Sequence, residues 1–376
     1  MRIVTTKETW PGEKRVALVP ETVKKLASLG FDLSLESGAG LQAGFTDSEY
    51  EQAGATIATD AQSTLQEADL VLAVRPLAAD VIAQIPTSAV YLGFLDPYRQ
   101  TDTVNACVAQ GLTAISLEMV PRSTRAQKLD GLSSQASLAG YAAMIVAAFH
   151  LPRIFPLMMT PAGTLSPARV FIIGAGVAGL QAIATAHRLG ARIEAFDTRP
   201  VVKEEVQSLG ARFLEVDLGE LGQTEQGYAQ ELTEEQQQRQ TQGMAEAIAR
   251  SDIVVTTAQV FGRPAPRIVT LEMVKSMQPT SVVIDMAVET GGNVEGSQVD
   301  QITEIDGVKV IGMANLPSQV AGHASEMYAS NLFEYVNEFK GEEPGTLNLE
   351  VDDEILNASI VVRNGELVNE QLKEVY

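Results

Sequence analysis

Short apolar runs alternate with longer amphipathic stretches almost from end to end of the chain. Ile3–Thr5 and Asp32–Glu36 read as strands flanking a helix, Pro20–Leu29, that stops at Gly30. Leu70–Ala73, Ala89–Leu92 and Thr113–Ser116 are further aliphatic or β-branched runs with helical patterns between them. A second series starts at Val170 and continues through Arg192–Phe196, Arg212–Val216, Ile253–Thr257, Val282–Ile284 and Lys309–Gly312, with helical stretches such as Thr270–Met277. Parallel neighbours need a crossover, usually a helix, so this alternation predicts α/β architecture with helices on both sheet faces. The expectation is two Rossmann-like, doubly wound parallel-sheet domains with a cleft between them. Ala324–Phe339 looks helical and apolar on one face, as if folding back onto the first domain. That places a discontinuous N-terminal domain at 1–131 plus 322–376 and a second domain at 132–321. The tail Gly341–Tyr376 shows few core candidates and one strand, Ser359–Arg363.

The longest apolar run, Ala136–Leu151, is closed by Pro152 and Arg153. It falls short of the roughly 20 residues that span a bilayer, and its alanines and Gly140 suit close packing. It reads as a buried interdomain helix, in a chain with no transmembrane segment of its own and no signal peptide at Met1–Lys7. The 376 residues are too many for one core of ordinary size. A net charge of −21, from 48 acids and 27 bases, argues against nucleic acid and anionic membrane surfaces as partners. The single cysteine, Cys107, excludes an intrachain disulfide framework and points to a reducing cytoplasmic compartment. His150, His187 and His323 are scattered without ligand spacing, so no metal is expected.

The chemistry begins where the second series does. Val170–Ile173 runs into Gly174-Ala175-Gly176-Val177-Ala178-Gly179, then a helix over Leu180–Leu189, then a strand ending beside Asp197. Gly174 permits the tight turn, Gly176 lets backbone approach a pyrophosphate, and Gly179 lets helix meet sheet. The first N–H groups of the helix face the phosphates. Asp197 can accept from a ribose 2′-hydroxyl and would repel a 2′-phosphate, which selects NAD(H) over NADP(H). Arg199, two residues on, works the other way.

Two polar segments do not fit the sheet pattern. Leu218–Gln242 is Gly- and Gln-rich and follows a strand at the edge where doubly wound sheets bind ligands. It reads equally as a solvated loop running into a helix or as a lid, with Tyr228 and Leu232 as its apolar pair. The second, Glu118–Gln135, contains Arg122, Gln127, Asp130 and Ser133: a cation, an amide, an acceptor and a hydroxyl. Such a set can fix a carboxamide and ribose. The alternative is that Ser133 or Ser134 caps the following helix while Arg122 and Asp130 form a surface pair.

The opening Lys7-Glu8, followed by Gly12-Glu13-Lys14-Arg15-Val16-Ala17-Leu18-Val19-Pro20, resembles the shared N-terminus of alanine dehydrogenases and the NAD(H)-binding subunit of proton-translocating transhydrogenase. Met158–Gly163, Asp285–Gly292 and Asn315-Leu316-Pro317 carry the same resemblance, which covers essentially the whole chain. Alanine dehydrogenases place a catalytic histidine in the segment matching Tyr91–Asp96, and an aspartate at the position of Glu289; this chain has neither. Its Arg122, Gln127 and Asp130 instead resemble the transhydrogenase subunit's Arg-Gln-Asp loop, and the region around Tyr228 resembles that family's mobile loop. The resemblance implies that Asp130 and Ser133 orient the carboxamide, Gln127 steers the nicotinamide ribose and Arg122 contacts the nicotinamide side. Ser123, Thr124, Leu132 and Ser134 would line the same end. Adenine would lie near Asp197, Thr198 and Arg199, with Val177 and Ala178 under the pyrophosphate; Gln240 and Gln259 follow by position. It further implies a homodimer, attached peripherally to the cytoplasmic face of a membrane through partner subunits that hold the NADP(H) site and the proton path. The chain itself has only one dinucleotide fingerprint. A dehydrogenase with a substituted base and a non-catalytic NAD(H)-binding module remain as alternatives.

Overall fold

The computed structural model describes residues 1–216 and 233–376. The chain divides into two compact units, Met1–Ala136 with Pro317–Tyr376, and Ser137–Leu316. The first boundary falls inside one continuous helix, Gly131–His150.

The first unit is built on an eight-stranded sheet. Its order is Glu366–Leu367, Ile360–Arg363, Thr113–Ser116, Val90–Gly93, Leu70–Ala73, Arg2–Thr5, Asp32–Glu36 and Thr56–Ala58. The six strands from the N-terminal segment pair in parallel; the two from the tail are antiparallel. Both faces are buried, and side chains alternate between them. Ile3, Leu70, Leu72, Leu92 and Ile115 pack with Val23 and Leu26 of the first helix and with Tyr328, Leu332 and Tyr335 of the Ala321–Glu338 helix. Val4, Val71, Tyr91 and Ala114 pack with Ile82, Val104 and Cys107 on the other face. A strand buried on both faces reads as a continuous apolar run, which is why these segments are visible without a polar alternation.

The second unit carries seven strands in the order Arg212–Phe213, Arg192–Phe196, Arg169–Ile173, Ile253–Thr256, Val282–Asp285, Val308–Gly312 and Gln301–Ile305. All pair in parallel except the edge strand Gln301–Ile305. The order reverses between Arg169–Ile173 and Ile253–Thr256, which is the topological switch point where ligands bind in such sheets.

Several expectations need correction. The Gly131–His150 helix is 20 residues, long and apolar enough by length and composition to cross a membrane, and one third of its apolar window is buried. It is therefore not buried all round. Ala142, Ala143, Met144 and Ala147 are in the core of the second unit, while Tyr141, Ile145 and Phe149 are exposed at i, i+4 and i+8. The tail is richer in core residues than expected: Ile355, Leu356, Ile360, Val361, Val362 and Leu372 are all buried. Within the polar segment 218–242, a helix capped by Thr233 begins at Glu234 and runs to Ala249, as the loop-into-helix reading has it. Tyr228 and Leu232, the lid pair, lie outside the described residues. Unforeseen elements are short or solvent-facing: Thr56–Ala58, the exposed hairpin Met158–Thr160 with Gly163–Leu165, and Gln301–Ile305.

Candidate nucleotide site

In the second unit the glycine turn leaves the Arg169–Ile173 strand and enters a 12-residue helix, Val177–Arg188, at the switch point. Gly174 has φ +100, a conformation that side chains resist. A Cβ on Gly179 would lie 1.9 Å from the Gly174 carbonyl oxygen, so helix and turn meet only because residue 179 is glycine. Thr257, after the neighbouring strand, donates its hydroxyl to that carbonyl at 3.1 Å and holds the turn from the other side. Gly140 on the long helix serves a similar close approach, where a Cβ would strike the Ala178 carbonyl. Above Gly176 nothing lies within 4 Å of an added Cβ, and no side chain caps the helix there. Exposed N–H groups at an uncapped helix start, with open space over them, suit a pyrophosphate.

Asp197 stands at the end of the next strand. It accepts from the Ala175 and Arg199 backbone N–H groups, each at 2.8 Å, and from Arg199 Nε and Nη2 at 3.0 and 3.1 Å. Burial works to raise its pKa, but the Arg199 guanidinium and the two amides outweigh it and hold the carboxyl below its usual range. Thr198 and Arg199 are exposed beside it. Gln259 follows the strand Ile253–Thr256 and donates to the Met286 carbonyl at 3.0 Å. Gln240 sits mid-helix in Glu234–Ala249, and among the described residues no hydrogen bond ties it to the glycine turn.

In the first unit, the strand Thr113–Ser116 leads through two 3-10 turns, Leu117–Met119 and Arg125–Leu129, into the long helix. Arg122, Ser123, Thr124, Gln127, Asp130, Leu132, Ser133 and Ser134 share this one segment. Asp130 accepts from the Ser133 N–H at 2.8 Å and from its hydroxyl at 2.6 Å, so the helix cap is Asp130 rather than either serine. The alternative Arg122–Asp130 pair does not form. Arg122 and Gln127 are exposed, and among the described residues neither side chain has a hydrogen bond or ion pair. Both are available to a ligand.

A buried ionic cluster in the first unit was not foreseen from the sequence. Its sheet also reverses order between Arg2–Thr5 and Leu70–Ala73, and just beyond lie Glu8, Glu13, Arg15 and Arg75. Glu13 takes Arg15 through two bonds, Nε at 2.8 Å and Nη2 at 2.6 Å, Arg75 Nε at 3.0 Å and the Ser318 hydroxyl at 2.7 Å. Burial opposes its charge, but these partners prevail and hold its pKa at about 2. Glu8 is pushed up to about 7 by burial, although the Val74 and Arg75 N–H groups donate to it. Glu13 and Arg15 belong to the opening motif, but only the fold brings them to Arg75.

The sequence matches the Alanine dehydrogenase/PNT N-terminal domain profile over residues 4–139 and the C-terminal domain profile over 143–370. The chain belongs to the alanine dehydrogenase/PNT family. It is 44% identical to an NAD(P) transhydrogenase subunit alpha polypeptide of Rhodospirillum rubrum, across 99% of each chain. The crystal structure of transhydrogenase from Sinorhizobium meliloti superposes with TM-score 0.86 at 42% identity, covering 99% of this chain and 100% of that one. An L-alanine dehydrogenase structure gives TM-score 0.83 at 25% identity, covering 100% and 99%. The family shares one fold across two activities, so the deciding residues are local. In the segment Tyr91–Asp96, where the dehydrogenase branch has its histidine, Leu95 and Asp96 donate backbone N–H groups to Glu118. Glu289 accepts from the Asn315 N–H at 3.1 Å.

Proposed function

We propose that the chain is the NAD(H)-binding subunit of a proton-translocating transhydrogenase. When bound, NADH would supply a hydride from its nicotinamide C4 directly to NADP+ held on a partner subunit. The glycine turn would hold the pyrophosphate, and Asp197, Thr198 and Arg199 the adenosine; Arg122, Gln127, Asp130 and Ser133 would orient the nicotinamide end. The observation that carries this reading is the Arg122–Ser133 segment. It presents a free cation and a free amide, while its one carboxylate is already tied to Ser133. Such a set can orient, and it contains no histidine or other side chain beyond the Ser133-bound Asp130 to act as a base. Direct hydride transfer needs orientation and close approach, whereas amino-acid oxidation needs a base. In the first unit, Arg15 and Arg75 are both held by Glu13.

The partner subunits would carry the NADP(H) site and the proton path, and would hold this chain at the cytoplasmic face of a membrane. A homodimer is favoured by the apolar surface of the second unit. Tyr141, Ile145 and Phe149 (84% exposed) are joined there by Leu157, Met158, Met159 and Leu165 on or beside the hairpin. Exposed apolar side chains in such number mark an interaction surface.

The test is to assay the purified chain for NADH binding, for alanine oxidation, and for transhydrogenation with its NADP(H)-binding partner. Transfer only in the partner's presence, and no alanine oxidation, is the expected result. In the reconstituted system Gln127→Asn, which shortens the side chain by one methylene, should slow single-turnover transfer by about 100-fold with little change in NADH affinity. Alanine oxidation by the chain alone would favour the dehydrogenase alternative; binding without transfer would favour the regulatory one.

A further inference from the structure

The turn that presents Gln127 is not self-supporting. Its closing backbone bond, from the Asp130 N–H to the Gln127 carbonyl, is long at 3.4 Å, and 3-10 turns are poor in hydrogen-bond geometry. Ala126 and Leu129 anchor it from below, at 0% and 2% exposure. Besides the local bond from the Ala126 N–H to the Ser123 carbonyl at 3.1 Å, its polar ties run to residues about 200 positions away in the chain and are of two kinds. The Arg125 guanidinium bridges Glu338 Oε1 at 2.8 Å and Asp353 Oδ2 at 2.7 Å, while Lys128 Nζ lies 4.0 Å from Glu334. These pairs face solvent, where water and salt weaken them. The other kind is Asn331, on the Ala321–Glu338 helix, which is 8% exposed. Its Nδ2 donates to the Lys128 carbonyl at 2.7 Å, and its Oδ1 accepts from the Ser134 hydroxyl at 2.7 Å. Lys128 follows Gln127 and Ser134 follows Ser133. One buried amide therefore grips the chain immediately after Gln127 and immediately after Ser133.

We infer that Asn331 is a positioning residue for the transfer reaction: its side-chain amide fixes the Gln127–Ser133 turn from behind. The inference rests on the transhydrogenase reading above. Asn331 touches no reacting group; it acts through the backbone that bears Gln127 and through Ser134. Because Asn331 is only 8% exposed and its two bonds are part-buried, water replaces them less readily than the solvent-facing ion pairs when the amide is lost. A shift of the turn by a fraction of an ångström then changes the approach of the reacting atoms far more than the contacts that bind nucleotide.

The test uses the full chain with its NADP(H)-binding partner. Asn331→Asp keeps the acceptor for Ser134 and removes the donor to Lys128; Asn331→Ala removes both, adds no charge, and carries the test if the aspartate variant does not fold. The expected result is a fall of about tenfold or more in single-turnover transfer, with the NADH dissociation constant moving less than about threefold. In a Gln127→Asn background, Asn331→Ala should add much less than it does alone, since both act on one geometry. Circular dichroism and melting measure the folded fraction. An unchanged rate in folded protein, rate and affinity falling together, or a fully additive double variant would each overturn the assignment. If Gln127→Asn slows transfer and the Asn331 variants do not, only the positioning role falls. If Gln127→Asn leaves the rate intact, the transhydrogenase site reading falls with it.

Discussion

Asp197→Asn offers a quantitative test of cofactor choice, because the structure adds a partner that changes the arithmetic. The carboxylate is committed to Arg199 through two guanidinium contacts of 3.0 and 3.1 Å, and Asp197 is 8% exposed at its side chain against 58% for Arg199. Asparagine keeps an acceptor for the buried Ala175 N–H, so the turn is retained, but it removes the charge and releases the guanidinium. For NADH the loss is one charge-assisted bond to the ribose, at the low end of the range because Arg199 already shares the carboxylate: about 1.5 kcal/mol, or roughly tenfold. For NADPH the gain is relief of repulsion. A carboxylate about 5 Å from a phosphate charge, at an effective dielectric of about 20, costs about 3 kcal/mol. The two effects add to about 4.5 kcal/mol, a swing of roughly three orders of magnitude in the NADPH-to-NADH affinity ratio. No introduced arginine is needed, since Arg199 is in place to meet a 2′-phosphate. Calorimetry of both cofactors on parent and variant measures the swing. A ratio within about threefold of the parent's would show that Asp197 does not read the ribose and that the adenosine site lies elsewhere.

Gly179→Ala places a methyl against the Gly174 carbonyl at 1.9 Å, so NADH binding should be lost with a lowered melting temperature; normal titration by NADH would refute the turn's role. Glu8 titrates at about 7 rather than near 4.5. The folded chain therefore holds an extra proton between those values, and its contribution to stability is present below pH 4.5 and lost as pH rises through 7. The effect is at most about 3 kcal/mol, so Glu8→Gln should gain melting temperature relative to the parent as pH rises from about 4.5 to about 8; a constant difference would show that Glu8 is not perturbed. Phe149→Asp, at the most exposed apolar position of the long helix, should convert a dimer to monomer by sedimentation while leaving the melt of the monomer intact. A parent that is already monomeric would remove the dimer.

The strands buried on both faces were legible because aliphatic and β-branched side chains dominate them. Leu70–Ala73, Thr113–Ser116 and Arg192–Phe196 occupy the same bounds in sequence and structure. The glycine turn was legible for a related reason: Gly174 and Gly179 answer local backbone constraints that no distant residue can relieve. What faces solvent left no such trace. The hairpin Met158–Leu165 and the edge strand Gln301–Ile305 took their pairing from a neighbour rather than from their own pattern. The serine cap offered as the alternative gave way to Asp130, since both residue types favour that position and only geometry chooses. The polar networks were beyond reach altogether. Glu13 with Arg75, and Asn331 with Lys128, depend on where side chains point after the sheets close. A charged or amide side chain has no periodicity by which its partner, dozens to hundreds of residues away, could be read. Sequence determined the two sheets and the glycine turn; tertiary structure decided which polar groups are spent on one another and which, like Arg122 and Gln127, are exposed without a partner among the described residues.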